Sequence, residues 1–366
     1  MSSALIIGAG IFGAALADRL VADGWDVTLV DRFEPGDPRS ESGGETRMLR
    51  FSHGADDFYT ASAWRARELW RELGEGALVE AGVVWFAHAD GGWEADSERV
   101  LRAQGIPVER LDPGQVERLF PSLETADLEF GLLEPAAGVL RASHAVRALI
   151  ARARAGGLRL VQGEAHPRGA RVVIEGRALE ADHVVWACGG WLAALFAEHV
   201  QLRVTRQEVV LFDVPPRWAS PPAPGWLDFD ASLYGHALIE PHGMKVASDR
   251  EGEPVEPGQR AAHAGETSLA AACDYLAARF PALAGAPVRS APGCHYSLTP
   301  DGNFIFARHP EHERVWLLGG GSGHGFKHGP AIAEQAARVL AGAAQPDARF
   351  ALAERVPSGA LRTAGS

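Results

Sequence analysis

Residues 4–31 read ALIIGAGIFGAALADRLVADGWDVTLVD, an apolar run that breaks at Gly8, resumes with helical spacing and ends on a second apolar run closed by Asp31. The pattern predicts a βαβ unit. Gly8 permits the tight turn after the first strand, Gly10 lets the backbone approach a pyrophosphate, and Gly13 lets helix and strand pack closely, so phosphates meet the positive helix N-terminus. Ala17 and Leu20 continue the buried helix face, Gly24 ends the helix, and Val27 and Leu29 alternate along the second strand. Asp31, 23 positions after Gly8, stands where an acid accepts hydrogen bonds from an adenosine ribose. Small residues also recur in such places merely to pack a helix on a strand. Here strand, glycines, helix face and acid fall in register, which points to a dinucleotide, either NAD or FAD.

The next segment, SESGGETRMLRFSHG (40–54), carries two arginines three residues apart. That spacing predicts both on one side of a helical turn or tight loop. Arg47 and Arg50 are then either ordinary ion-pairing residues of a solvated loop or cations aimed at a bound anion, with Gly43 and Gly44 laying backbone against a cofactor. On this segment alone both readings stand. The helix that follows, with Trp64, Leu69, Trp70 and Leu73 near helical spacing, reads as core.

Further along, GVVWFAH (82–88) opens a different texture, rich in Gly and Pro turns through residue 140, which predicts a second sheet with few long helices. SHAVRALIARARAGGLRLVQG (143–163) predicts a Ser-capped helix, a Gly-pair stop and a strand. ADHVVWACGGW (181–191) repeats the first logic, a buried strand running through Ala187 into Gly189 and Gly190, with Trp191 beyond. Alternating runs between 205 and 250 (EVVLFDV, SLYGHALIEP, MKVAS) predict antiparallel strands. TSLAAACDYLAARFPAL (267–283) is an amphipathic helix in which Cys273 reads as inert core. RVWLLGGGSGHGFKHGPAIAEQAARVLAG (314–342) is strand, glycine loop and helix for a third time, and no strong pattern follows residue 350.

The expected fold class is therefore α/β, α+β overall. A Rossmann-type domain is built from 1–80, 141–200 and 290–366, interleaved with an antiparallel-sheet substrate domain from 81–140 and 201–289. Such interleaving favours a flavoprotein over a simple NAD dehydrogenase, whose nucleotide site forms in one contiguous block. The length of 366 residues agrees with about two domains. A formal charge of -12 repels polyphosphate and anionic surfaces, which argues against nucleic acid or membrane as partner. Three scattered cysteines, Cys188, Cys273 and Cys294, make no disulfide framework or C-x-x-C metal site, so a reducing cytoplasm is expected. The first apolar run, Ala4 to Ile7, is too short for a signal or membrane segment.

Six motifs in order, GAGIFG with Asp31, SGGETRMLR, GVLRASHAV, ADHVVWACGGW, CHYSLTPDGNFI (294–305) and GSGHGFKHGP (321–330), give the chain a resemblance to the FAD-dependent amine and amino-acid oxidases of the D-amino-acid-oxidase type. Within them it is most similar to the group of monomeric sarcosine oxidase, N-methyltryptophan oxidase and pipecolate oxidase. The resemblance implies FAD against Gly8, Gly10, Ile11, Phe12, Gly13, Asp31 and Arg32, against Gly43, Gly44, Thr46 and Arg47, and against Ala187, Gly189 and Trp191. It adds Gly321, Gly323, His324, Gly325, Phe326 and Lys327 of the last loop. In the pattern Cys294, Tyr296, Thr299, Asp301, the cysteine is the one that the family bonds covalently to the flavin 8α carbon. The resemblance further assigns a substrate carboxylate to Arg50 and Lys327, a position near the flavin ring to Arg47, oxygen activation to Lys245, and the cavity wall to Tyr234 and Tyr296.

These roles make physical sense. A carboxylate leaving water needs charge-assisted donors, and a fixed cation stabilises developing superoxide. On local sequence alone, Lys245 would read as a surface strand lysine, Tyr234 as a core aromatic, Cys294 as a buried or unused thiol and His324 as a loop brace. Two positions depart from the family pattern. Gly43-Gly44 replaces a His-Gly pair, and Asp249 replaces a histidine four positions after the oxygen-activating lysine, which puts sarcosine itself in doubt.

The expected activity is hydride removal from the carbon beside the nitrogen of a secondary (N-methyl or cyclic) amine or amino acid, to flavin N5, giving an imine. O2 then reoxidises the flavin and forms H2O2, in a monomer. Alternatives are a dehydrogenase that passes electrons to a quinone or partner protein, and an accessory FAD-binding subunit.

Overall fold

The N-terminal unit folds as its glycines predict. Strand Ser3–Ile7 leads into helix Ile11–Ala22, Gly24 turns the chain at φ +82°, and strand Asp26–Asp31 pairs parallel to the first. The computed structural model describes residues 1–74, 76–219, 223–238, 243–259 and 265–356. The end of the SLYGHALIEP run (239–241) and residues 357–366 lie outside them.

The first sheet has six strands in the order Ile305–His309, His312–Gly319, His183–Trp186, Ser3–Ile7, Asp26–Asp31, Arg159–Gln162. All neighbours are parallel except the first pair. Helix Ile11–Ala22 packs between helices Ala142–Ala155 and Gly329–Leu340 on one face of it. Leu16, Ala17, Leu20, Val146, Leu149 and Ile332 fill that layer.

The second sheet has nine strands and carries the pairs Arg203–Phe212 with Gly243–Ser248, Leu233–Leu238 with Gly243–Ser248, and Val83–Ala87 with Phe130–Glu134, all antiparallel. One pairing, Gly225–Asp228 with Val83–Ala87, is parallel. The strand carrying Cys294, Gly293–Leu298, hydrogen-bonds along Arg203–Phe212, although the sequence groups its segment with the flavin layer. Helix Glu266–Arg279 covers this sheet with Leu276, and Cys273 packs half-buried beside it.

Four local expectations are corrected. Arg47 lies in a strand, Thr46–Leu49, paired antiparallel with Gly138–Arg141, and Arg50 follows it, so the two arginines share no helical turn. Ser143 lies inside its helix rather than capping it: the N-cap is Arg141, and the Ser143 hydroxyl donates to the carbonyl of Gly44 at 2.7 Å. Helices Trp93–Ala103 and Pro113–Leu119 interrupt the turn-rich stretch, the second capped by Asp112 and Gln115. Helix Asp57–Glu72 buries Tyr59, Ala63, Ala66 and Trp70, leaving Trp64, Leu69 and Leu73 half-exposed. The weakly patterned tail is also held: Arg355 pairs with Asp301 at 2.8 Å and donates to the carbonyl of Phe304 at 2.9 Å. No helix among the described residues is long and apolar enough to cross a membrane.

Candidate active site

One cavity is lined from both sheets, with the glycine turn at one end and a group of buried cations at the other. At the glycine end Gly8 adopts φ +108°, and a Cβ there would stand 2.3 Å from the carbonyl oxygen of Ala187. Gly13 packs for a different reason, since its Cβ would lie 1.8 Å from the Gly8 carbonyl. Asp31 braces the turn: its carboxylate accepts from the backbone N–H of Ala9 at 2.6 Å and of Phe33 at 2.8 Å, while burial raises its pKa above the usual value. Arg32 ion-pairs with Glu164 at 2.7 Å and lies 5.2 Å from the Trp191 ring.

These residues fit a dinucleotide. The N-cap of the helix that starts at Ile11 is Gly10, which has no side chain to cap it, and its first turn holds no acid, so its positive end suits an anion. Gly10 borders the cavity, and a Cβ on it would have only the Ser42 side chain within 4 Å. The Asp31 carboxylate keeps acceptor capacity for sugar hydroxyls.

In the middle of the cavity Arg47 is clamped. Its Nη2 donates to the carbonyls of Glu41 and Gly43, each at 2.8 Å, its Nη1 to the Thr46 carbonyl at 2.8 Å, and Nη2 reaches the Cys294 Sγ at 3.5 Å. Ile11, Phe12, Ala187, Gly189, Gly321, Gly323, His324, Gly325 and Phe326 also line the wall. Gly13, Gly43, Gly44 and Thr46 do not; they stand behind it and position what does. Gly43 is packed against Asp37 and Pro38, with no room for a Cβ, while the Thr46 carbonyl accepts from Lys245 Nζ at 3.4 Å. Thr299 and Asp301 hold the neighbouring turn, Thr299 Oγ1 donating to the Asn303 carbonyl at 2.7 Å.

At the far end Arg50, Lys327, Tyr234, Tyr296 and Asp249 come together, and Lys245 stands on the Arg47 side, 5.7 Å from the Tyr234 ring. Arg50 lies over Trp85 at 5.1 Å and donates to the Ser52 carbonyl. Burial pushes its guanidinium below the usual value, and the charges of Asp249 and Glu134 oppose that shift. Lys245 is 5% exposed, and burial, with Arg47 adding to it, pushes its pKa down to about 7. Lys327 donates to the His324 carbonyl at 3.0 Å, and burial followed by Arg50 holds its pKa well below the ordinary lysine range. The Tyr234 and Tyr296 hydroxyls hydrogen-bond each other; burial raises Tyr234 to about 12 and Tyr296 well above its normal value.

Four residues that the sequence reading missed complete the site. Ser42 Oγ accepts from the Ile11 N–H at 2.8 Å, pinning the helix start. Glu41 is buried, accepts from the Gly190 N–H at 2.8 Å and from Ser297, and is shifted upward by burial. Glu134 accepts from Ser52 Oγ and Trp85 Nε1, each at 2.6 Å, and so fixes the floor beneath Arg50. His236 stands opposite Lys245 in register, its pKa lowered by burial to about 3. Only Ser42, beside the glycine pair, carried a local signal.

A Rossmann sheet, a glycine-led helix start facing a cavity, and buried cations along that cavity are the parts of a dinucleotide-dependent oxidoreductase. The FAD dependent oxidoreductase (DAO) profile matches residues 3–339, and the chain belongs to that family. Monomeric sarcosine oxidase from Streptomyces avermitilis is 31% identical over 90% of this chain and 91% of its own. N-methyl-L-tryptophan oxidase from Salmonella dublin is 28% identical over 92% and 94%. The structure of L-proline dehydrogenase from P. horikoshii superposes with a TM-score of 0.83 at 20% identity, covering 94% of each chain.

Proposed function

We propose that this chain is an FAD-dependent oxidase of secondary amines, N-methyl or cyclic, whose substrates carry a carboxylate. The observation that carries the reading is one cavity joining the dinucleotide end to Arg50, Lys327 and Lys245. The two similar curated enzymes, a sarcosine oxidase and an N-methyltryptophan oxidase, support the substrate class. Domains of 1–80, 141–200 and 290–366 for the cofactor, and 81–140 and 201–289 for the substrate, suit the two sheets, with the Gly293–Leu298 strand crossing between them.

Bound FAD supplies the two-electron acceptor for the C–H bond beside nitrogen, and O2 takes the electrons onward as H2O2. Arg50 offers the carboxylate a two-pronged donor on a floor fixed by Glu134 and Trp85, and Lys327 adds a third donor tethered at the His324 carbonyl. Held so, the amine carbon has few orientations left. Tyr234 and Tyr296 remain protonated across the physiological range, so they act as walls and hydrogen-bond partners rather than bases. The substrate amine loses its proton on binding or in water, not to these tyrosines. Lys245, beside Arg47, in its protonated form supplies the cation for oxygen reduction. Asp249 faces the same space and favours a substrate larger and more polar than sarcosine. Cys294, next to the clamped Arg47, is the attachment point for an 8α-S-cysteinyl bond. The enzyme acts as a cytoplasmic monomer and binds no nucleic acid or membrane.

Anaerobic mixing of the holoenzyme with N-methyl, cyclic and primary amino acids tests this reading. Bleaching of the flavin by a secondary amino acid is expected, with one H2O2 per substrate once air is admitted. No bleaching across the panel, or bleaching without peroxide, overturns the oxidase.

A further inference from the structure

Three histidines converge behind the substrate end. His53 follows the Thr46–Leu49 strand, His324 sits in the glycine loop, and His328 stands four residues on, at the N-cap of helix Gly329–Leu340. His53 is 2% and His328 0% exposed. One ring nitrogen of each is engaged outward: His53 Nδ1 with the Phe51 carbonyl at 2.8 Å, His324 Nε2 with the Gly302 carbonyl at 3.0 Å, and His328 Nδ1 with the Ser62 hydroxyl at 3.0 Å. The other three, His53 Nε2, His324 Nδ1 and His328 Nε2, are buried without a hydrogen-bond partner. One ligand nitrogen from each ring lies within 4.8 Å of the other two.

The outward bonds fix the chemistry of the inward atoms. A carbonyl accepts only, so His53 Nδ1 and His324 Nε2 carry the protons, and His53 Nε2 and His324 Nδ1 are left as bare lone pairs. A backbone carbonyl behind the imidazole is the arrangement that orients metal-ligating histidines and raises their basicity. The ring centroids are 5.1, 5.6 and 5.9 Å apart, against about 5–6 Å for three imidazoles bound tetrahedrally to one ion at ~2.0–2.1 Å.

We propose that His53, His324 and His328 form a three-nitrogen site for a divalent first-row transition ion, zinc before the others, with a water as fourth ligand. Imidazole suits zinc, copper and nickel, and a neutral N3 set without carboxylate disfavours magnesium and calcium. Arg50 and Lys327 oppose a further positive charge here, and Glu134 offsets them in part. His324 borders the main cavity and gives the ion its way in. Once bound, the ion cross-links the segment after Arg50, the glycine loop and the last helix, stiffening the strip of chain that presents Arg50 and Lys327. The alternative occupant is a water that donates to the two lone pairs.

The test is metal retention by the holoenzyme. Chelator-treated protein is incubated with zinc, passed through a desalting column and assayed by elemental mass spectrometry. One zinc per chain is expected in the wild type and in His312→Ala, which alters a separate, partly exposed histidine group. Less than a tenth of that is expected in His53→Phe and His328→Phe. Absence of stoichiometric zinc in the wild type overturns the proposal in favour of water, as does full retention in both Phe variants. Should those variants fail to fold, anomalous diffraction from zinc-soaked wild-type crystals decides. A peak among the three rings supports the site, and a peak only elsewhere overturns it.

Discussion

Arg47 Nη2 lies 3.5 Å from Cys294 Sγ while donating to two loop carbonyls at 2.8 Å, so a fixed cation and a thiol from different sheets meet at the centre of the cavity. The guanidinium cannot swing away without breaking its clamp. If the thiol carries the flavin, acid-precipitated wild-type protein stays yellow and Cys294→Ser gives a colourless pellet. Arg47→Met should lower the attached fraction without removing Cys294. A colourless wild-type pellet refutes the covalent bond.

Lys245→Met should separate the two halves of the reaction. Removing one preorganised charge costs about 10²–10³-fold in the step it serves. Reoxidation by O2, followed by stopped flow, is expected to slow by that factor, while anaerobic bleaching by substrate changes less than tenfold. Equal losses in both halves would mean that Lys245 positions substrate.

The same lysine makes a pH prediction. Its folded pKa of about 7 lies below the ordinary lysine value of 10.5, so between these limits the unfolded chain binds more protons than the folded one. Stability from this group therefore rises with pH across that window, by up to ~1.4 kcal/mol per pH unit. Urea midpoints from pH 7 to 9 should rise more steeply in the wild type than in Lys245→Met. Cys188, raised by burial to about 12, acts in the opposite direction above pH 9, but equally in both proteins.

Arg50→Lys keeps the charge and loses the fork. Hydrogen bonds to a charged group contribute about 1.5–3 kcal/mol, so kcat/KM for a carboxylate substrate should fall roughly 10–150-fold. The corresponding decarboxylated amine, already a poor substrate, should lose far less. Equal losses on both would assign Arg50 a purely structural part.

Gly10→Ala isolates the cofactor from the fold. Its Cβ meets only Ser42 Oγ at 3.2 Å, against 2.3 Å to a backbone oxygen for Gly8. The variant should fold with wild-type circular dichroism yet bind FAD at least tenfold more weakly, because a methyl stands where pyrophosphate approaches. Undiminished FAD content would move the phosphates elsewhere.

The strand, glycine and helix units were legible because each glycine answers a local steric demand that leaves few other residues possible. What the sequence hid depends on distant partners. Arg47 lies in a strand only because Leu140, 93 residues on, pairs with it. Helix Trp93–Ala103 sits after paired glycines that read as loop, and its buried face is just Ser97, Val100 and Leu101. Glu41 and Glu134 look like surface acids until the fold closes over them. The histidine cluster joins positions 53, 324 and 328, a proximity that no spacing rule reveals.

The pairing of Ala4 with His183 has a temporal side. At ~5–20 residues per second of synthesis, the first strand waits roughly 10–35 s for this neighbour. The His183–Trp186 strand then keeps an open edge until His312–Gly319 arrives. The nucleotide layer therefore cannot close on the ribosome before nearly the whole chain has emerged.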